Sequence, residues 1–266
     1  MNAGHERIAA AFAASGKHAA LMPYLMGGFP DLATSRRIGE ACIAAGADVL
    51  ELGVPFSDPL ADGPVIHAAG TAALAAGCTL TGVLEVGRAL AETVPVVLMC
   101  YASLVLARGE WTFAELLGRT GISGLIVPDM PLEESDAVFA ACEEHGVALV
   151  PLVAPTTTEE RMARIGARAR GFVYAVSVVG ITGERATFSD RVAPILARAR
   201  AHSTVPVAVG FGISTGEHAA QAAASGAQGV IVGTRLVRAA GEATDPPGAV
   251  RELVGDLSAA LARPNQ

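Results

Sequence analysis

Short runs of valine, leucine and isoleucine recur along this chain, and most are followed by an alanine-rich segment with a helical pattern. Such alternation is typical of a parallel sheet covered by helices. The runs predict strands at residues 20–26, 48–54, 94–101, 124–129, 148–153, 172–177, 205–210 and 229–233. Eight βα units in about 250 residues predict an α/β fold of the closed (β/α)8 (TIM) barrel type.

The segments between the predicted strands carry helix signals. Helices are expected at residues 34–45, 133–145, 158–169 and 216–225, and a glycine suited to a C-cap follows or ends several of them, at Gly46, Gly146 and Gly226. An extra N-terminal helix, about 6–14, precedes the first strand and is expected to close the bottom of the barrel. No linker or repeat divides the chain, so residues 1–266 are expected to form a single domain. The alternative, an open doubly wound sheet, lacks a G-x-G-x-x-G turn after the first strand.

Composition and charge exclude several classes of partner. The 266 residues are 52% hydrophobic, with a net charge of −7 and no long basic run, which argues against nucleic-acid and anionic-membrane surfaces. The N-terminus lacks an apolar signal core, and no uncharged apolar stretch reaches the roughly 18 residues of a membrane span. We therefore expect a cytoplasmic protein. Its four separated cysteines are expected to be buried, reduced thiols.

Two carboxylates stand in the segment LELGVPFSDPLADG, residues 50–63. Period-two alternation puts Glu51 on one face of the second predicted strand and Leu50 and Leu52 on the other, and neither face suits open solvent. Asp62 lies in the Gly/Pro-rich loop that follows. A buried carboxyl needs a partner or stays protonated, which makes it a candidate general acid/base. A structural ion pair or a capping acid is the alternative.

The predicted barrel places this segment where barrel enzymes carry their chemistry, at the carboxyl ends of the strands. Two extended loops follow the second and sixth strands, at residues 55–70 and 180–190. Long glycine-bearing loops at this face are candidate lids, with ordinary solvent loops as the alternative.

Glycines follow the last two strands, as GFGIS at residues 210–214 and GTR at 233–235. Free backbone N–H groups at helix N-termini bind phosphate, and barrels often do so at this corner. Each motif alone also fits a tight turn, but together they predict a phosphate site. Thr182 and Gly183 of the sixth-strand loop would close over the same anion.

The sequence lacks the residues that several other catalytic mechanisms require. Lys17 is the only lysine and precedes the first strand, which excludes a Schiff-base aldolase and an internal pyridoxal phosphate. No histidine stands at a strand end with a second ligand nearby, so no metal site is predicted. Acid/base chemistry by carboxylates on a phosphorylated substrate remains.

With these motifs the chain resembles the tryptophan synthase alpha chain family. LELGVPFSDPLADGP (50–64) carries the resemblance, supported in family order by GLIVPDMP (124–131), VAPTT (153–157), GFVYAVSVVGITG (171–183), GFGIS and IVGT (231–234). The resemblance implies a lyase of L-tryptophan biosynthesis that cleaves indole-3-glycerol phosphate to indole and glyceraldehyde 3-phosphate by a retro-aldol reaction. It also implies a beta chain that carries pyridoxal phosphate, receives the indole and forms an alpha2-beta2 heterotetramer, with no cofactor in this chain.

The resemblance assigns roles to individual positions. Glu51 would be the acid/base, and Asp62 would accept a hydrogen bond from the indole N–H and stabilise the cation formed on protonation at C3. The residues implied in substrate binding are Tyr24, Tyr174, Thr182, Gly183, Phe211, Gly212, Gly233 and Thr234. Those implied in contact with the beta chain are Pro55, Asp58, Asp129 and Pro131.

Four positions depart from the commoner family pattern. Thr234 replaces serine and keeps its hydroxyl, whereas Arg235 replaces a small residue and would either pair with the phosphate or point outward. Ser103 replaces a frequent asparagine and Val178 a frequent arginine, which bears on partner contact and lid closure.

Two other functions stay open: another phosphate-binding isomerase or synthase of the pathway, and a non-catalytic regulator of the beta chain. Indole-glycerol-phosphate synthase is disfavoured because no lysine lies in the barrel.

Overall fold

The computed structural model describes residues 3–176, 188–210 and 212–262. Its strands all pair in parallel, in the order β5-β4-β3-β2-β1-β9-β8-β7-β6. They are β1 (Ala20–Met26), β2 (Leu50–Gly53), β3 (Val96–Met99), β4 (Gly124–Ile126), β5 (Ala148–Leu149), β6 (Leu152–Val153), β7 (Val173–Val176), β8 (Val207–Gly210) and β9 (Gly229–Val232).

The sheet closes into a barrel because β5 and β6 are two pieces of one extended segment. On one side of this segment Val150 donates its N–H to the carbonyl of Leu125 in β4, over 2.9 Å. On the other side the carbonyl of Pro151 accepts the N–H of Tyr174 in β7, also over 2.9 Å. Pro151 has no N–H to donate, so the ladder is interrupted there. The predicted eight-stranded barrel is confirmed, with its fifth strand, 148–153, divided in two.

Helices follow the strands as predicted. In the described parts of the chain they are α1 (Gly4–Ala14), α2 (Leu32–Ala44), α3 (Pro64–Ala75), α4 (Leu80–Leu90), α5 (Ala102–Leu106), α6 (Glu110–Arg119), α7 (Asp136–Glu144), α8 (Glu159–Arg168), α9 (Phe188–His202), α10 (Gly216–Ala224), α11 (Thr234–Glu242) and α12 (Pro246–Leu261). Gly46, Gly146 and Gly226 adopt positive φ after α2, α7 and α10, as a C-cap requires. None of these helices alone has the length and apolar character of a membrane span; α3 and α4 have them only as a pair bent by 109°.

Successive side chains around β2 point to opposite faces of the sheet and pack into two different apolar layers. Leu50 and Leu52 pack among the covering helices, whereas Val49 belongs to the smaller cluster inside the barrel. The N-terminal helix α1 closes the bottom of this interior, as expected. Its Ile8 is fully buried there, and the Phe12 ring lies 6.1 Å from that of Phe172.

Three predicted segments need correction. The loop after β2 ends at Gly63 rather than at residue 70, because Pro64 starts α3 at a position where its missing N–H costs nothing. The helix predicted over 133–145 is a 3-10 turn, Leu132–Glu134, followed by α7. Within the predicted loop 180–190, α9 already begins at Phe188, and residues 180–187 lie outside the described residues.

Candidate active site

A cavity of about 670 Å³ opens at the carboxyl ends of the barrel strands. It brings together many of the residues singled out in the sequence, since Glu51, Asp62, Tyr24, Tyr174, Gly212, Gly233 and Thr234 all line it. Thr182, Gly183 and Phe211, also predicted to bind substrate, lie outside the described residues, as does Val178.

Glu51 is buried in the wall of the cavity. Its side chain projects from the middle of β2, in register with Tyr24 of β1 and Val97 of β3, and the residue is 1% exposed. Neither carboxyl oxygen has a partner among the described residues. Ionising an unpaired buried carboxyl is costly, and burial raises the pKa of Glu51 from 4.5 to about 8. Glu51 therefore holds its proton at neutral pH and faces the cavity as an acid.

Asp62 lies in a more polar setting, half-buried in the loop between β2 and α3. Burial raises the pKa of its carboxyl, while a hydrogen bond with the Tyr101 hydroxyl and the nearby charge of His67 act in the opposite direction. The two carboxyls of the cavity thus differ in environment: within the described part of the chain Glu51 has no hydrogen-bond partner, whereas Asp62 has a hydroxyl and an imidazole nearby. Different environments are what divide paired carboxyls into an acid and an anion.

Tyr101 is not among the residues predicted for the site, although its position in the sequence is informative. It is the last residue of the third predicted strand, 94–101, at the carboxyl end where barrel enzymes carry functional groups. In the structure its hydroxyl accepts the N–H of Ala61 over 3.0 Å, next to Asp62.

Tyr24 on β1 and Tyr174 on β7 are buried and both line the cavity. Each lies against a glycine that has no room for a side chain. A Cβ on Gly53 would come within 2.1 Å of the Tyr24 hydroxyl, and one on Gly210 within 2.3 Å of the Tyr174 hydroxyl. Burial, followed by the charges of Asp62 and Glu51, raises the pKa of Tyr24 well above its usual value, so its phenol stays neutral.

The corner of the cavity that is predicted to bind phosphate, the phosphate corner, follows β8 and β9. Gly212 adopts φ 74°, and α11 begins directly after Gly233, where no side chain of the described residues caps its first N–H groups. These groups are available to an anion. Arg235 does line the cavity, and so does Arg238, three residues further along α11. The wall at this corner therefore carries two cationic side chains beside the backbone donors.

The predicted partner residues lie outside this cavity. Asp58, Asp129 and Pro131 are exposed, whereas Pro55 is buried within the chain itself. Asp129 is also a structural acceptor, because its carboxylate takes the N–H of Ala102 over 2.8 Å. Burial therefore argues against Pro55 as a direct contact with a beta chain, whereas the other three residues are exposed enough to make one.

No group of metal-ligating side chains assembles in the parts of the chain that the structure describes. The four cysteines, Cys42, Cys78, Cys100 and Cys142, are buried and free. Burial raises the pKa of the Cys42 and Cys142 thiols to about 12, as expected for unreactive core cysteines.

Comparison with known proteins decides the family. The sequence profile described as "Tryptophan synthase alpha chain" matches residues 11–258. This chain belongs to the tryptophan synthase alpha chain family. The resemblance inferred from the motifs is therefore confirmed, and the chain is a lyase of tryptophan biosynthesis that converts indole-3-glycerol phosphate to indole and glyceraldehyde 3-phosphate.

Relatives match over most of their length. The tryptophan synthase alpha chain of Synechococcus sp. (strain CC9902) is 50% identical over 221 residues, which are 82% of each chain. The alpha chain of Methanosarcina mazei is 43% identical over 94% of this chain and 91% of its own. Among solved structures, Mycobacterium tuberculosis tryptophan synthase superposes with a TM-score of 0.89 at 37% identity, covering 99% of this chain and 100% of that one.

One solved relative comes from a study of mutual activation in the tryptophan synthase a2b2 complex of the hyperthermophile Pyrococcus furiosus. It superposes with a TM-score of 0.85 at 34% identity, covering 91% of this chain and 98% of that chain. Family membership therefore implies a beta chain as the partner.

Proposed function

We propose that the 670 Å³ cavity is the active site and that Glu51 and Asp62 perform the chemistry of the cleavage. The observation that supports this most strongly is the unpaired, buried carboxyl of Glu51 in the wall of the cavity that Asp62 also lines. Such a group is costly to the fold, and perturbed carboxyls in clefts are typical of catalytic acids and bases.

The proposed reaction uses the two carboxyls unequally. Glu51 gives its proton to C3 of the indole ring, and Asp62 stabilises the positive charge that develops at the ring N–H. The Glu51 carboxylate then takes the proton of the glycerol hydroxyl on the carbon attached to C3. As that hydroxyl becomes the aldehyde of glyceraldehyde 3-phosphate, the C–C bond breaks and its electron pair returns to the ring. Indole leaves neutral, and Glu51 is protonated again.

Substrate binding is proposed to use both ends of the cavity. The phosphate would lie against the N–H groups near Gly212, Gly233 and Thr234, and the indole between Tyr24 and Tyr174. The backbone donors at the first end favour a dianion, and the buried aromatic walls at the other suit a planar apolar ring. Thr182, Gly183 and Phe211 are proposed to complete the site on the basis of the motifs alone.

Arg235 is expected to contribute charge to phosphate binding. In Arg235→Ala the KM for indole-3-glycerol phosphate should rise about 2- to 5-fold, since an exposed ion pair is worth up to about 1 kcal/mol. kcat should change little, and KM should become less sensitive to salt. Arg251→Ala, which removes an exposed arginine of α12 outside the cavity lining, is the matched control. Equal KM values in the two variants would show that Arg235 points away from the phosphate.

The partner is proposed to be a tryptophan synthase beta chain in an alpha2-beta2 heterotetramer, with pyridoxal phosphate in the beta chain. Asp58, Asp129 and Pro131 are exposed at the same end of the barrel as the cavity, so a chain docked there would lie close to the site of indole release. We propose that this complex works in the cytoplasm.

The proposed function is tested by incubating the purified chain with indole-3-glycerol phosphate, with and without a beta chain. Indole and glyceraldehyde 3-phosphate should form in equal amounts in both arms, and faster when the partner is present. A chain that produces neither compound, yet accelerates the beta chain's reaction with added indole, would instead be a non-catalytic regulator.

A further inference from the structure

Tyr101 connects two loops that lie far apart in the sequence. It lies two residues after the end of β3, directly before the first residue of α5, and it is 4% exposed. Its ring stacks on that of Phe56, with centroids 5.2 Å apart and planes inclined by 27°. Phe56 belongs to the loop between β2 and α3 that also carries Asp62, so the Tyr101 ring has a fixed position against this loop.

The hydroxyl of Tyr101 is oriented by its own hydrogen bond. Its oxygen accepts the N–H of Ala61 over 3.0 Å. A phenol has a single proton, which is then available to the neighbouring Asp62 carboxylate. Burial, together with the charge of Asp62, raises the pKa of Tyr101 to about 12, so Tyr101 remains a donor at neutral pH.

The backbone beside Tyr101 is held by a different loop. Ala102, the next residue, donates its N–H to the carboxylate of Asp129 over 2.8 Å. Cys100, the preceding residue, donates its N–H to the carbonyl of Ile126 over 3.1 Å. Asp129 is exposed in the loop after β4, which contains two of the residues proposed to meet the beta chain.

We propose that Tyr101 is a positioning residue that orients the Asp62 carboxylate in the cavity and that Asp129, through the backbone of Ala102, holds Tyr101 in place. This proposal rests on the proposed function of Asp62. It gives the exposed loop after β4 a physical route to the active site, composed of one hydrogen bond to Ala102 and one from the Tyr101 hydroxyl.

The pKa that a titration of Asp62 would report depends on the charged and titratable groups around its carboxyl. Among the described residues they are, besides Tyr101, His67 on α3, Tyr24 on β1, Glu51 on β2, and Arg235 and Arg238 across the cavity on α11. Of these, Tyr101 and His67 lower the pKa of Asp62 against the effect of burial. Removing the Tyr101 hydroxyl should therefore raise the pKa of Asp62 and leave that of Glu51 nearly unchanged.

The test uses Tyr101→Phe, which keeps the ring against Phe56 and removes only the hydroxyl. The Asp62 carboxyl, followed by carbon-13 NMR in the full chain, should titrate at higher pH than in the wild type. In the cleavage assay kcat should fall about 10-fold, with the acid limb of the pH profile moved upward, the alkaline limb unmoved and KM little changed. Thr112→Val, which alters an exposed hydroxyl residue of α6, is the control and should leave both readouts unchanged.

Asp129→Ala tests the second half of the proposal. It should move the Asp62 titration in the same direction as Tyr101→Phe, and the double variant should move it no further than Tyr101→Phe alone. Additive shifts, or an unchanged Asp62 titration in Tyr101→Phe, would overturn the proposal. Because the NMR readout needs no turnover, a wild-type chain that fails to cleave the substrate would refute the proposed function without deciding the role of Tyr101.

Discussion

Glu51→Gln should lower the rate of indole release from indole-3-glycerol phosphate at least about 100-fold. Glutamine has nearly the same size but cannot give a proton to C3 or take one from the glycerol hydroxyl. The phosphate corner is untouched, so KM should change little and the loss should appear in kcat. Release within about 3-fold of the wild-type rate would exclude Glu51 as the acid/base.

The stability of this variant provides its folding control. The pKa of Glu51 is raised from 4.5 to about 8 in the folded chain, so the native state binds the extra proton between these pH values. The free energy of unfolding should therefore decrease as pH rises through this range, on the order of a few kcal/mol in total. Glu51→Gln should lack this decrease and remain folded above pH 8. Glu85→Gln, at an exposed glutamate of α4, should behave like the wild type in activity and stability.

Asp62→Asn should lower the rate of indole release by at least about 100-fold as well, for a different reason. Asparagine keeps the shape and an acceptor oxygen but has no charge to stabilise the cation formed when C3 is protonated. We expect kcat to fall while the affinity for the phosphate group is kept, which can be measured as inhibition by glyceraldehyde 3-phosphate. Asp256→Asn, at an exposed aspartate of α12, is the matched control. Normal turnover in Asp62→Asn would mean that the charge at the ring N–H is dispensable.

The barrel could be predicted because its determinants are local. Alternation along β2 correctly put Glu51 on one face and Leu50 and Leu52 on the other, and in the structure the first face lines the cavity while the second packs under the helices. Two of the differences in boundary depend on proline: Pro151 interrupts the fifth strand because it has no N–H, and Pro64 starts α3 for the same reason. Both effects can be predicted from the sequence, because proline has no backbone N–H at any position.

The candidate site was only partly predictable. Glu51 and Asp62 stand out because carboxylates in an apolar motif are unusual, and the glycines after β8 and β9 follow a known barrel pattern. Tyr101 was missed because its hydroxyl meets Ala61, 40 positions earlier in the chain, and only the closed barrel brings the two loops together. The position of Arg235 in the cavity wall likewise depends on how α11 is rotated, which a single residue cannot indicate.

The central claim is that the two carboxyls hold opposite protonation states at neutral pH, and a carbon-13 NMR titration of both tests it most directly. With the signals assigned through Glu51→Gln and Asp62→Asn, Glu51 should titrate near pH 8, and Asp62, whose pKa burial raises and Tyr101 and His67 lower, should lose its proton before Glu51 does. A Glu51 that titrates near its ordinary value of 4.5, or an Asp62 that loses its proton only after Glu51 does, would contradict the account.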